Sequence, residues 1–113
     1  MAINRQVAKG FVGNMKVIAE GEPGEFVSFS VCTSEYAGKD KHGENVYNEQ
    51  WFNVLAFAGN AKRIKASKMA TGDFVEVEGP HRSKKTEKDG VKYENWSIIL
   101  DEFEILRRKE EAA

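Results

Sequence analysis

The chain holds one cysteine, two prolines and two histidines among its 113 residues. A lone cysteine excludes an intramolecular disulfide and any cysteine-rich zinc site. No apolar run approaches the roughly 18 residues that a membrane-spanning helix needs. Met1 to Gln6 has neither an apolar core nor a cleavage-like site, so no signal peptide is expected. An excess of one charge is missing too: 17 Lys and Arg stand against 18 Asp and Glu, a formal net charge of −1. As a sum, that counts against a nucleic-acid partner, because such domains usually carry surplus Lys and Arg. What remains is ordinary for a folded chain. Hydrophobic residues make up 41% and charged residues 31%, too apolar for disorder, and the length allows one domain.

The sum hides a segregation. Between Ala58 and Gly72 lie Lys62, Arg63, Lys65 and Lys68 with no acid, and Arg82 to Lys92 carries Arg82, Lys84, Lys85, Lys88 and Lys92 against Glu87 and Asp89. Arg5, Lys9 and Lys16 precede the first acid, whereas Asp101, Glu102, Glu104, Glu110 and Glu111 crowd the C-terminal end. Residues 1–100 are almost neutral, with 14 basic against 13 acidic side chains. A binding face depends on where charges lie, while the net value governs solubility and long-range association.

Turn chemistry cuts the chain into short extended runs. Val7 to Asn14 and Met15 to Glu20 contain Gly10 and Gly13, which predict a bent or bulged strand. Gly21-Glu22-Pro23-Gly24 predicts a turn. Glu25 to Ser34 alternates, Val27, Phe29, Val31 and Thr33 opposing Phe26, Ser28, Ser30 and Cys32. Ala37 to Asn45 reads as a projecting polar loop. From Tyr47 to Ala58, Phe52, Val54 and Ala56 face one way while Trp51, Asn53, Leu55 and Phe57 face the other. Asn60 to Met69 is the one good helix, capped by Asn60 and closed by Thr71-Gly72, with Ala61 and Ile64 in its apolar stripe. Phe74 to Lys84 resumes the strand pattern, Lys85 to Gly90 is a second charged loop, and Val91 to Leu106 is a last strand region bent near Asp101-Glu102. The expected fold is all-β: a five-stranded Greek-key OB-fold barrel with one short helix between strands 3 and 4 and long β-hairpin loops. Residues 1–106 would form it, and 107–113 would be a short charged tail that frays.

Enzyme chemistry finds little material. His42 sits in a polar loop, His81 follows Pro80, and neither stands at ligand spacing from the other or from Cys32. Cys32 reads as a small buried hydrophobe. No phosphate-cradling glycine loop precedes a Lys-Ser or Lys-Thr, and adjacent Asp101 and Glu102 would point to opposite faces of a strand. The chain is therefore expected not to be an enzyme, with no catalytic residue, no metal and no cofactor. Binding has better material. Single-stranded nucleic acid offers a π-face on every base and a phosphate on every nucleotide, so a sequence-tolerant binder interleaves exposed aromatics with Lys and Arg. Trp51 and Phe57 share one strand face, about 20 Å apart at strand rise. Tyr36 stands at the loop mouth, and Lys62, Arg63 and Lys65 begin just after Phe57. An apolar face opposite an apolar face means either a strand covered on both sides or a binding surface. Trp96 shares a face with Ile98 and Leu100 and suits core packing as well as binding.

Three runs carry a resemblance: Phe11-Val12-Gly13-Asn14; Ser30-Val31-Cys32-Thr33-Ser34-Glu35-Tyr36; and Glu49 to Phe57. With Thr71 to Gly79, Arg82 and Tyr93, the ordered set over residues 3–106 closely resembles the bacterial and phage-type single-stranded DNA-binding protein family. The resemblance implies an OB fold that binds single-stranded DNA without strong sequence preference in replication, recombination and repair. It also implies self-assembly, usually a homotetramer, with a dimer the alternative. Trp51 and Phe57 match the family's stacking aromatics, Tyr36 stands one residue from another, and Arg82, Lys84 and Lys85 match its basic run. Lys62, Tyr93 and Trp96 complete the expected DNA-binding set. Thr86 stands where the family often has a further aromatic, and Phe52 where it commonly has a charged or imidazole side chain near a subunit interface. Family members usually continue through a glycine-rich linker to an acidic tip ending in Pro-Phe that recruits other enzymes. This sequence stops at Glu110-Glu111-Ala112-Ala113, so tail-mediated recruitment is expected to be absent, as in a phage or mobile-element version. No membrane partner is expected, and the location would be the bacterial cytoplasm, nucleoid-associated or phage-infected. The alternative reading keeps the fold but makes the chain an accessory replication or primosome factor that bridges proteins and touches DNA weakly. An RNA-binding cold-shock-like module is a third.

Overall fold

The computed structural model describes residues 2–19 and 25–109. Alternation of apolar and polar side chains builds most of it into strands. In order come β1 (Gln6–Ala19), β2 (Glu25–Lys39), β3 (Asn45–Phe57), the helix α1 (Gly59–Ser67), β4 (Phe74–Gly79), β5 (His81–Lys88), β6 (Val91–Ile99) and β7 (Glu102–Arg107). They form one sheet in the order β5-β6-β3-β2-β1-β4-β7. All neighbours are antiparallel except β3 and β6, which run parallel through Asn53–Ser97, Val54–Ile98 and Leu55–Ile99. The inward row of each strand, including Val12, Val27, Phe29, Val31, Val54 and Val77, packs with Ala61 and Ile64 of α1 into one buried core. This is the expected OB-type arrangement, with the helix between the third and fourth strands.

Seven strands appear where five were expected, because two long strands are interrupted. Proline has no N–H for a ladder, and Pro80 separates β4 from β5. Leu100 and Asp101 separate β6 from β7, the bend expected near Asp101-Glu102. The hydrogen-bonded order is thus open, β5 at one edge and β7 at the other. Contact nevertheless bridges the breaks: Ile99 N donates to Pro80 O and Asp101 N to Glu78 O, each at 2.9 Å. There the backbones nearly touch. A Cβ built at Gly79 would lie 1.8 Å from the Ile99 carbonyl oxygen. Gly79→Ala is therefore expected to destabilise the fold by about 1–3 kcal/mol, the usual effect of overpacking, read as a lower urea midpoint; an unchanged midpoint would show that the crossing can widen.

Several local expectations are corrected. The two expected loops are mostly strand: β2 and β3 run on into a ribbon turning at residues 40–44, where Asp40 Oδ1 accepts from His42 N (2.8 Å) and Glu44 N (3.0 Å). β5 and β6 turn at Asp89-Gly90, both with positive φ (54° and 76°), the conformation an Asp-Gly hairpin favours. Asn60 does not cap α1. Ala58 holds the cap position without a side-chain bond, and the Asn60 amide donates to Leu100 O (2.9 Å) while its Oδ1 accepts from Arg63. The helix ends at Lys68 in left-handed geometry, not at Gly72. Nor does the chain fray from Arg107. Arg107 ends β7, Arg108 donates to Ser67 O at 2.8 Å, and Lys109 N donates to the buried carboxylate of Asp73 at 3.0 Å. The bulge expected in β1 is present after Gly13, whereas the turn expected at Gly21–Gly24 and the tail beyond Lys109 lie outside the described residues.

Candidate nucleic-acid interface

The two faces of β3 decide the site. Val54 and Ala56 point inward and are fully buried, and Phe52 packs against the core. Alternation then turns Tyr47, Trp51, Asn53, Leu55 and Phe57 outward. Trp51 is 58% exposed and Phe57 40%, so among the described residues no second layer covers this face. Phe57 leans on Phe26 with ring centroids 5.6 Å apart. Along the β2–β3 ribbon, Tyr36 meets Tyr47 edge-on at 5.8 Å. The outer face thus carries the Tyr36–Tyr47 pair, then Trp51 about 13 Å along β3, then Phe57 about 20 Å further at strand rise.

Gly13 supplies the seat for Trp51. A Cβ there would meet the indole Cζ3 at 2.9 Å, so the ring reaches across β2 onto β1. Beneath, Ser30 Oγ donates to Gly13 O at 3.0 Å. Cys32 pairs in register with Phe11 on one side and Trp51 on the other. It is half-buried on the outer face rather than in the core. Burial and then the Glu49 carboxylate push its thiol pKa up, which keeps it in the unreactive thiol form at neutral pH.

The β5–β6 hairpin continues the sheet beside β3. Ile98 is buried like its partner Val54, which fixes the hairpin's two faces. Arg82, Lys84 and Tyr93 fall on the same outer face as Trp51. Tyr93 stands opposite Thr86, so an aromatic occurs at that level after all, on the neighbouring strand. Lys85 and Trp96 fall on the other face, where Trp96 stacks on His81 at 4.9 Å. Asn4 holds His81 by its backbone, accepting from its N at 3.0 Å and donating to its O at 2.8 Å. Lys62 is exposed on α1, five residues after Phe57. The structure therefore gathers Tyr36, Trp51, Phe57, Arg82, Lys84 and Tyr93 on one face, sets Lys62 on the following helix and leaves Lys85 and Trp96 opposite. Tyr47, Phe11 and Phe74 are exposed or half-exposed aromatics of that outer face that sequence reasoning missed. Strand parity alone would have found Tyr47, which is even-spaced from Trp51 and Phe57.

The β4–β7 end of the outer face is acidic. Glu76 faces Glu104 and Glu78 faces Glu102 across β4 and β7. Directly opposed like charges destabilise a sheet. Cations relieve this in part: Arg5 bridges Glu78, and Arg63 approaches Glu102 at 3.8 Å while lying over the Phe103 ring. Among the described residues no group of three or more His, Cys, Asp or Glu could hold a metal ion, and no helix is long and apolar enough to cross a membrane.

No family model matches the chain. In sequence it is similar to the single-stranded DNA-binding proteins of Neisseria meningitidis serogroups A and B, each 29% identical over 113 residues covering 98% of this chain. Its curated relatives are single-stranded DNA-binding proteins. The chain spans 64% of their length. Structures of single-stranded DNA-binding proteins share the fold. That of Plasmodium falciparum, solved in complex with single-stranded DNA, matches with a TM-score of 0.77 at 18% identity, covering 94% of this chain and 97% of that one. The small single-stranded DNA-binding protein of Streptomyces coelicolor matches with a TM-score of 0.70 at 20% identity, covering 93% and 95%. The OB fold expected from the sequence is the fold of these proteins.

Proposed function

We propose that the chain binds single-stranded DNA without strong sequence preference, protecting it during replication, recombination and repair. The observation that carries this reading is the uncovered outer face of β3. Trp51, Phe57 and the Tyr36–Tyr47 pair spend apolar surface on solvent, and Arg82 and Lys84 stand on the same face beside them. Each base stacks on a ring through its π-face, which every base has, and cations meet the phosphates between. Tyr93 adds a ring on the β5–β6 hairpin. Lys62, Lys85 and Trp96 act from outside this face, as the strand passes the helix and the hairpin edge. Nothing in this chemistry uses a metal, a cofactor or a reacting side chain, so the protein is a binder and no enzyme. The working form is a homotetramer, and residues 1–106 are its DNA-binding domain. Phe52 is partly buried against the core, so that residue contributes to core stability.

The test is a titration of oligo-dT followed by tryptophan fluorescence at two salt concentrations, with the mass determined in solution. Tight quenching is expected, with log K falling by about 0.7 per phosphate contact for each log unit of salt. With few cations at the face, Arg82 and Lys84 on it and Lys62 and Lys85 beside it, that slope should be shallow. Binding that is weak at low salt would overturn the proposal.

A further inference from the structure

We infer that Glu49 is a base-reading position on the stacking surface, favouring bases that carry an exocyclic amino group (cytosine, adenine and guanine) over thymine. This rests on the proposed function and adds a modest preference to a surface that stacking alone leaves indifferent. The first observation is placement. Side chains alternate along β3, so Glu49 shares the outer face with Tyr47 and Trp51 and stands about 7 Å from each at strand rise. It is exposed, and it is the one charged residue in the outer row of that strand. The second is its surroundings on β2. Ser34 stands directly opposite, and the diagonal positions hold Cys32 and Tyr36. An opposite charge across the strands is the usual partner for such a carboxylate, and β2 supplies none. The third is where its field is felt. Burial first, and then Glu49, push up the pKa of the Cys32 thiol, and Cys32 is the strand partner of Trp51. The carboxylate therefore acts toward the tryptophan.

An anion between two stacking rings works against a surface that only grips phosphates, because it repels them. Toward bases it has a use. A carboxylate accepts hydrogen bonds and donates none. The pairing edges of cytosine and adenine offer an amino donor, and guanine offers an N–H and an amino group side by side. Thymine instead flanks its single N–H with two carbonyl oxygens. Unstacked bases in single strands are read on these edges, and Glu accepting from the cytosine amino group is a recurrent pairing in duplex recognition. The cations stand where this arrangement needs them. Arg82 pairs with Ser97, and Ser97 with Asn53, which puts Arg82 two strand spacings, about 10 Å, to one side of β3. Lys84 follows on the same face. Phosphates drawn to that side leave the base edges directed across β3, where Glu49 meets them between the rings of Tyr47 and Trp51.

The test compares three oligonucleotides of equal length at neutral pH and fixed salt: oligo-dC, oligo-dT and an oligomer of 2-pyrimidinone deoxynucleoside, which is cytosine without its amino group. Each is titrated against the parent and against Glu49→Met, which keeps the length of the side chain and removes both acceptors. The parent is expected to bind oligo-dC about fivefold more tightly than the pyrimidinone oligomer, the lower end of what a base-edge contact discriminates. In Glu49→Met that advantage should vanish, and the affinity ratio of oligo-dC to oligo-dT should fall by about the same factor. Each ratio is taken within one protein, so altered folding or assembly of the variant does not mimic the result. Tight binding of all three oligomers by the parent, with no advantage for oligo-dC over the pyrimidinone oligomer, would overturn the assignment and leave the proposed function standing. An advantage that survives unchanged in Glu49→Met would overturn it too, because another group would then read the amino edge. Failure of the parent to bind any of the three would remove the proposed function and this inference with it.

Discussion

Trp51→Ala is expected to weaken oligo-dT binding by about 1–3 kcal/mol, roughly 5- to 150-fold, with little change in stability. The two halves of that expectation have separate causes. The indole is more than half exposed and contributes its outer π-face to a base, so its removal deletes one stacking platform. Its contact with the fold is the slot over Gly13, outside the core. Phe57→Ala should follow the same pattern with a smaller loss of binding, because Phe57 is less exposed and Phe26 beside it still offers a ring. Equal affinity of both variants and the parent, measured by competition at fixed salt, would mean that the outer face of β3 is not where DNA lies.

Phe29→Ala is expected to do the reverse. Phe29 is the largest of the fully buried side chains, flanked in β2 by Val27 and Val31 and paired with Val54. Truncation at such a site leaves a cavity and costs about 3–5 kcal/mol, a large part of the 5–15 kcal/mol that holds a typical domain together. Thermal unfolding should show a drop in Tm of well over 10 °C, given about 4–8 °C per kcal/mol for a domain near this size. DNA affinity measured well below that midpoint should match the parent. A large drop in affinity at low temperature would mean that the core shapes the binding face more directly than the side-chain parity of β2 and β3 implies.

The fold was legible because burial and local period agree. Val27, Phe29 and Val31 alternate strictly, Val54 and Ala56 do the same, and the structure buries all five. What could not be read was where the strands stop. Ala37–Asn45 and Lys85–Gly90 are polar because both faces of each ribbon meet solvent, and a polar strand without a core face has no period to detect. The cap of α1 was not legible because the helix already begins at Gly59 and the Asn60 side chain is engaged elsewhere, its Oδ1 accepting from Arg63 and its amide donating to Leu100 O, forty residues away, which no local rule can see. For the site, Trp51 and Phe57 followed from parity within one strand. Trp96 and Lys85 were grouped with them because their side of the β5–β6 hairpin is set by the parallel pairing of β3 with β6, a long-range relation. Phe11 and Phe74 stayed hidden for the same reason, since only the register between β1 and β4 makes them neighbours.

The two ribbons, residues 34–50 and 82–96, carry exposed side chains on both faces and have no buried apolar layer beneath them. Such segments open at a lower free energy than the body that anchors them. A protease cutting at Lys41 or Lys88, beside the two turns, would leave the core intact while cleaving the hairpins that present Tyr36, Tyr47 and Tyr93. The molecule is thus built in two tiers, a packed body and two arms whose order depends on their turns and on what they hold.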